Sequence, residues 1–270
     1  MLEVLKKYNL ADFSVVSFQH LNTFDVRSKQ KIPQNCKAAI VAIFPYYNNC
    51  ASGGNISTYC AVNDYHHVVM VQLKSICEDL AAKYPANSFV PFVDSSPVDE
   101  VDLAVKGGLG IKGSHSMLIT KNWGSFVFIG EILTDLDVDT VLCEVKTCSD
   151  CGLCAKACPG NAINKGCIDT QRCASFISQK KQELTEEQTQ ILKAAKTVFG
   201  CDICQNVCPH NKPILDGKSE FANRENLFSK DILNTVTKEN VAQIYKERAF
   251  GFRGLKVLER NLELYYQSDK

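Results

Sequence analysis

None of the 270 residues belongs to an apolar run of the roughly 18 that a membrane-spanning helix needs. The start, MLEVLKKYNLADF, has neither the apolar core nor the cleavage site of an export signal. A cytoplasmic location away from membranes is therefore expected. Net charge is missing too. Thirty Lys and Arg offset thirty Asp and Glu, so the chain carries no overall field to attract nucleic acid or anionic lipid. There is no internal repeat of solenoid length. There is also no regular βαβ rhythm with a GxGxxG following a strand, which weakens a dinucleotide-binding reading. Hydrophobic residues at 45% and charged residues at 22% exclude a disordered chain. The length suits one large domain or two modest ones.

Cysteine, in contrast, is abundant: there are fourteen, and most crowd between Cys148 and Cys208. Without an export signal, clustered cysteines point to metal ligands rather than disulfides. The first motif is Cys148-x2-Cys151-x2-Cys154-x3-Cys158-Pro159, and the second is Cys201-x2-Cys204-x3-Cys208-Pro209. The first has the spacing of a bacterial 4Fe–4S run, in which the fourth Cys, before Pro, serves the other cluster. Three thiolates two residues apart wrap one cubane, and the next, on a helical turn, points away. Proline then ends the loop without a competing N–H. Two cubanes need eight thiolates and the motifs supply seven. Crossing gives Cys148, Cys151, Cys154 and Cys208 to one cluster. Cys158, Cys201 and Cys204 then need a fourth ligand from between the motifs, where Cys167 and Cys173 lie; Cys173 is favoured. Structural zinc is the competing reading, but zinc wants sets of four and has no need of the Cys-Pro crossover. The remaining Cys36, Cys50, Cys60, Cys77, Cys143 and Cys167 read as small buried hydrophobes.

The first 140 residues read as mixed α and β. Ala38–Phe44 fits a buried strand. Val69, Leu73, Ile76 and Leu80 repeat at helical spacing before Pro85. Phe89–Val93 resembles a strand that Pro91 demotes to an edge or bulge. Met117–Thr120 and Ser125–Leu133 look like strands joined through the turn residues Asn122-Trp123-Gly124. Composition shifts near Asp137. Further on, Thr185 with Gln188 has the form of a capping box opening a helix to about Phe199. The stretch from about Lys230 to Tyr266 reads as helical.

Several segments together resemble the epoxyqueuosine reductases, cobalamin and iron–sulfur enzymes that finish queuosine in tRNA. The tract containing RCASF and FGCDICQNVCPHNK is a specific match. Ser57-Thr58-Tyr59 through Asp64-Tyr65-His66 resembles the family segment SRYAxGxDYH, and Phe92–Pro97 resembles VDTGP. Gly107–Gly113 resembles AGLGWxGK. Gly124–Asp135 resembles GSxxxLGEIxTD. Arg253-Gly254 and Arg260-Asn261 echo a further pattern. The resemblance spans about residues 38–262.

The resemblance implies an α+β fold. A flavin-reductase-like cobalamin-binding domain over 1–140 precedes a ferredoxin-like double 4Fe–4S domain over 141–229. A helical segment, 230–270, packs on the rest. The form is a short one without the helical-repeat tail of many members. The implied enzyme is an oxidoreductase reducing the epoxide of epoxyqueuosine in tRNA, with cobalamin fed by the two clusters and an external electron donor, as a monomer. Asp94 then maps to the acid that protonates the opening epoxide. General acid catalysis of this kind contributes about 10²–10⁴-fold. Tyr59, Asp64, Tyr65, His66, Gly108, Gly110, Gly113 and Glu131 map near the cobalamin. Plainer roles compete: a turn residue for Asp94, a helix cap for Asp64, and turns for the glycines. The sequence departs from the family pattern at Thr58, Ala61, Val101, Ile111, Ser114 and His115. These departures remove cationic and aromatic groups that would grip a phosphate-bearing, stacking substrate. They motivate two alternatives: a cobalamin-dependent reductase of another substrate, or a protein that passes electrons to a partner's corrinoid.

Overall fold

The computed structural model describes residues 1–47, 55–212, 214–215, 221 and 247–267. Cys50 and the expected helical stretch before residue 247 lie outside the described residues. Along the chain the elements are α1 (Leu2–Lys6), β1 (Asp12–Ser17), β2 (Ala38–Pro45), α2 (Thr58–Ala61), α3 (Tyr65–Lys83), β3 (Phe89–Val93), α4 (Glu100–Lys106), β4 (Ile111–Lys112), β5 (Leu118–Ile119), β6 (Val127–Thr134), α5 (Leu153–Ala157), β7 (Ile163–Asn164), β8 (Cys167–Ile168), α6 (Ala174–Ser178), α7 (Glu186–Ala195), α8 (Ile203–Asn206) and α9 (Leu255–Gln267). They group into two compact units. One comprises Met1–Pro45, Tyr65–Gly113 and Met117–Cys148; the other comprises Tyr46–Asp64, Ser114–Ser116 and Ser149–Lys270. Two segments inside the expected 1–140 domain thus group with the second unit.

The first unit is built on one sheet of order β1-β2-β6-β3. Every pairing in it is antiparallel, which excludes a doubly wound nucleotide fold. Residues of β6 alternate between two faces. Gly130 turns towards α3, where an added Cβ would meet Val69 and Leu73. Ile129 and Leu133 turn the other way, into a core with Val41, Phe92, Leu103, Ala104 and Val105 of β2, β3 and α4. Both faces of the sheet are therefore covered. This explains why the central strand β2 is buried along its whole length and reads as an unbroken apolar run. Pro91 lies in β3, which among the described residues pairs with β6 alone, and an edge strand is where a missing N–H costs least. Beyond β6, Asp135 Oδ1 accepts from Ser88 N–H at 2.9 Å and from Asn87 Nδ2 at 3.1 Å, tying the sheet end to the turn before β3. The expected hairpin across Asn122–Gly124 is reduced to an isolated Thr120–Gly124 bridge, and β5 pairs instead with β4.

In the second unit, Thr185 and Gln188 form the full capping box at the start of α7. That helix stops at Ala195, earlier than expected, because Lys196 takes the left-handed conformation with φ 48°. A β7–β8 hairpin turns through Lys165 and Gly166, both at positive φ. α9 packs on α7. Its buried Asn261 donates to Ser178 O at 2.7 Å and to Val198 O at 2.8 Å. Arg260 donates to Lys180 O and Gln182 O. Among the described residues no helix is long and apolar enough to cross a membrane.

Candidate active site

Edge strand β3 delivers Asp94 into a three-residue turn closed by Ser95 N–H to Val93 O at 2.6 Å. Asp94 sits at φ 61°, a conformation that costs a non-glycine residue on the order of 1–3 kcal/mol and persists where the surroundings enforce it. Its side chain is 58% exposed, and Oδ2 lies 3.4 Å from His66 Nε2. His66 is held in turn by the first turn of α3. Tyr65 stacks on the His66 ring at 4.0 Å and on Phe128 of β6 at 4.3 Å. The hydrogen bond from His66, aided by one from Tyr65, keeps the Asp94 carboxyl below its ordinary pKa despite partial burial. The turn therefore presents an ionised carboxylate rather than a stored acid.

Behind this turn lies a second carboxyl. Glu131 is opposite Phe92 in the β6–β3 register, on the apolar face, and only 1% exposed. Expected beside a cofactor, it instead faces the core. Ser96 donates its hydroxyl to Glu131 Oε2 and accepts Val98 N–H at 3.1 Å. Burial pushes Glu131 up to about 8. Burial likewise raises Glu100, reinforced by the nearby charges of Glu131, Asp94 and Asp99. Asp99 caps α4 through Asp102 N–H at 3.0 Å. The sequence reading missed Ser96 and Glu100. The available signal was a carboxylate between the apolar Ile129 and Leu133, on the core face of a strand.

The glycine segment has reasons of its own. An added Cβ at Gly110 would come within 2.4 Å of Ile119 O, and one at Gly108 within 2.8 Å of Cys143 Sγ. That space is filled by the chain itself, so these two glycines do not form an open cradle. Gly113 donates its N–H to Met117 O at 2.9 Å, closing the β4–β5 loop. Tyr59 and Asp64 belong to the second unit. Tyr59 packs at the edge of a core with Cys60, Phe199 and Phe250. Asp64 N–H donates to Glu247 O at 2.7 Å.

Thirteen of the fourteen cysteines lie among the described residues. α5, which carries Cys154, packs against α8, which carries Cys204. Burial pushes the Cys201 thiol up to about 11 and raises Cys204 further. Both also feel Cys158 and Cys173, the partners expected from the crossed ligand count. Cys167 is exposed on the β7–β8 hairpin. The donor set fits iron–sulfur ligation: buried thiols that resist ionising alone become thiolates when metal compensates the charge. Among the described residues, no group of three or more His, Cys, Asp or Glu side chains closes on a single-ion site.

Comparison with known proteins finds matches in both halves of the chain. Residues 147–211 match a 4Fe-4S double cluster binding domain, and residues 27–95 match the epoxyqueuosine reductase QueG family model. The epoxyqueuosine reductase of Leadbetterella byssophila is 33% identical over 249 residues, covering 89% of this chain and 81% of that one. That of Aliivibrio fischeri is 35% identical over 181 residues, 66% of this chain and 48% of that one, so the match spans about half of that relative. The fold of epoxyqueuosine reductase from Streptococcus thermophilus superposes with a TM-score of 0.82 at 21% identity, covering 99% of this chain and 80% of that one. A crystal structure of epoxyqueuosine reductase with an epoxyqueuosine-modified tRNA stem loop gives 0.83 at 22% identity, covering 99% and 80%. Shared motifs, a double-cluster cysteine set and a 33% identical relative matched over most of its length make the chain a member of the epoxyqueuosine reductase family.

Proposed function

We propose that this protein reduces the epoxide of epoxyqueuosine in tRNA, giving queuosine. It would work as a cytoplasmic monomer supplied by an external electron donor. The observation that carries the reading is the Asp94 turn, a strained and half-exposed carboxylate paired with His66 on a family-matched chain. The proposed architecture is a flavin-reductase-like cobalamin domain and a ferredoxin-like cluster domain. Cys148, Cys151, Cys154 and Cys208 ligate one cluster, and Cys158, Cys173, Cys201 and Cys204 ligate the other. Cobalamin, when bound, supplies a strongly reducing cobalt centre for opening the epoxide, and the clusters supply its electrons singly.

Tyr65 and His66, half-exposed beside Asp94, have the aromatic and polar character to hold that cofactor. The protein's own contribution is proton management. Epoxide opening leaves an alkoxide, a poor leaving group until protonated. Covering Asp94 with substrate removes its water, and desolvation favours the neutral acid. His66 then holds the carboxyl in place and relays its proton. The test is direct. Protein reconstituted anaerobically with iron, sulfide and cobalamin is given a strong reductant and epoxyqueuosine-containing tRNA. Nucleoside mass spectrometry should find queuosine; its absence with both cofactors loaded overturns the substrate.

A further inference from the structure

We infer that Glu131 is a positioning residue: from inside the apolar core it clips Ser96 and thereby holds the turn that presents Asp94. The inference rests on the proposed role of Asp94 only for its consequence in turnover.

Glu131 occupies a strand position whose neighbours on the same face, Ile129 and Leu133, are apolar, and whose cross-strand partners are Val41 and Phe92. A carboxyl placed there without a purpose is costly. Among the described residues its hydrogen-bond partner is Ser96. Its other oxygen, Oε1, is buried with no hydrogen-bond partner among the described residues. Among the described residues, the charges that act on it come from acids at the start of α4, Asp99 and Glu100. Directly opposite it, β2 and β3 place Val41 and Phe92. Such surroundings keep the carboxyl neutral.

Ser96 is the link. It lies two residues after the strained Asp94 and two before Val98, whose N–H it accepts. The far side of the turn is anchored separately, by Phe24 N–H to Pro97 O at 2.8 Å. Releasing Ser96 therefore frees the Asp94 side alone. Asp94 then relaxes from φ 61° and leaves His66.

The test reads the Asp94 carboxyl itself, by carbon NMR titration of the full chain labelled at aspartate, alongside thermal melting and turnover. Ser96→Ala and Glu131→Leu remove the clip. In both, the Asp94 titration should move up towards an ordinary carboxylate, and kcat should drop about 10²-fold, as expected for a misplaced catalytic group, with KM little changed. Glu131→Gln keeps an oxygen for Ser96 and should restore the wild-type Asp94 titration and most of the turnover. It should also abolish any loss of turnover that the wild type shows as Glu131 ionises above neutral pH. A folded Ser96→Ala protein with an unshifted Asp94 titration overturns the inference. So does Glu131→Gln behaving like Glu131→Leu. If Glu131→Leu fails to fold, Ser96→Ala decides. If the wild type makes no queuosine, the substrate assignment fails while the titration still tests the clip.

Discussion

Asp202 accepts both the backbone N–H of Thr58, at 2.6 Å, and its hydroxyl, at 2.8 Å, across 144 residues of chain. The adjacent Ser57 hydroxyl also donates to it, at 2.5 Å. Asp202 lies between Cys201 and Cys204, so the second cysteine loop and the segment around Tyr59 are one local structure. Gly200 permits the approach: its φ is 72°, and a Cβ there would come within 2.4 Å of Ser57 Cβ. Thr58, which departs from the family's Arg, has its hydroxyl committed here.

Asp202→Ala should therefore destabilise the second unit by about 2–3 kcal/mol, the scale of losing bonds to a charged acceptor and stranding their donors. Asp202→Asn, which keeps one acceptor oxygen, should lose less. Urea unfolding followed by far-ultraviolet circular dichroism measures both; equal midpoints for wild type and alanine variant would contradict the geometry.

The eighth cluster ligand is separable by iron content. Cys201 and Cys204 feel Cys173, whereas Cys167 is exposed on its hairpin. Cys167→Ser should keep about eight irons per chain after anaerobic reconstitution, and Cys173→Ser should fall towards about four, the content of one cubane. Loss of iron in the Cys167 variant with retention in the Cys173 variant would reverse the assignment.

Features governed by neighbours in sequence were legible beforehand. Pro91 marked its strand as an edge, Thr185 and Gln188 announced their helix, and Ala38–Phe44 read as a buried strand. Features governed by distant partners were not. β1 holds only Val15 and Val16 as a buried apolar pair within DFSVVS, and it becomes a strand by pairing with β2. The hairpin expected across Asn122–Gly124 lost to the β4–β5 pairing, a choice set by where Ile111 returns rather than by turn chemistry. At the site, motif resemblance singled out Asp94 and His66 separately. Their contact depends on α3 crossing the end of β3, and Ser96 acquires meaning only through a residue 35 positions away.

Stability should respond to pH through Glu131. Burial raises its folded pKa from the ordinary 4.5 to about 8. A raised carboxyl favours the folded state fully at pH below its unfolded value, and that contribution declines as pH climbs to the folded value. Between about pH 4.5 and 8 the wild type should thus lose stability relative to Glu131→Gln. Paired melting curves across that range measure the difference; a constant gap would show that Glu131 is not protonated in the fold.

Asp94→Asn bears on the chemistry itself. The amide keeps the size of the side chain and can still meet His66, so the turn and both cofactors should be retained. What it lacks is a carboxyl able to pass a proton to the opening epoxide. Turnover should therefore fall by about 10²–10⁴-fold, the usual contribution of a general acid. The wild-type Asp94–His66 hydrogen bond should weaken at acid pH, because the carboxyl titrates below its ordinary value and the carboxylate is lost as pH drops through it. Single-turnover conversion with iron and cobalt counted in the same sample separates a chemical defect from cofactor loss. An Asn variant that matches the wild-type rate with both metals present removes Asp94 from the reaction and leaves the strained turn to be explained by packing alone.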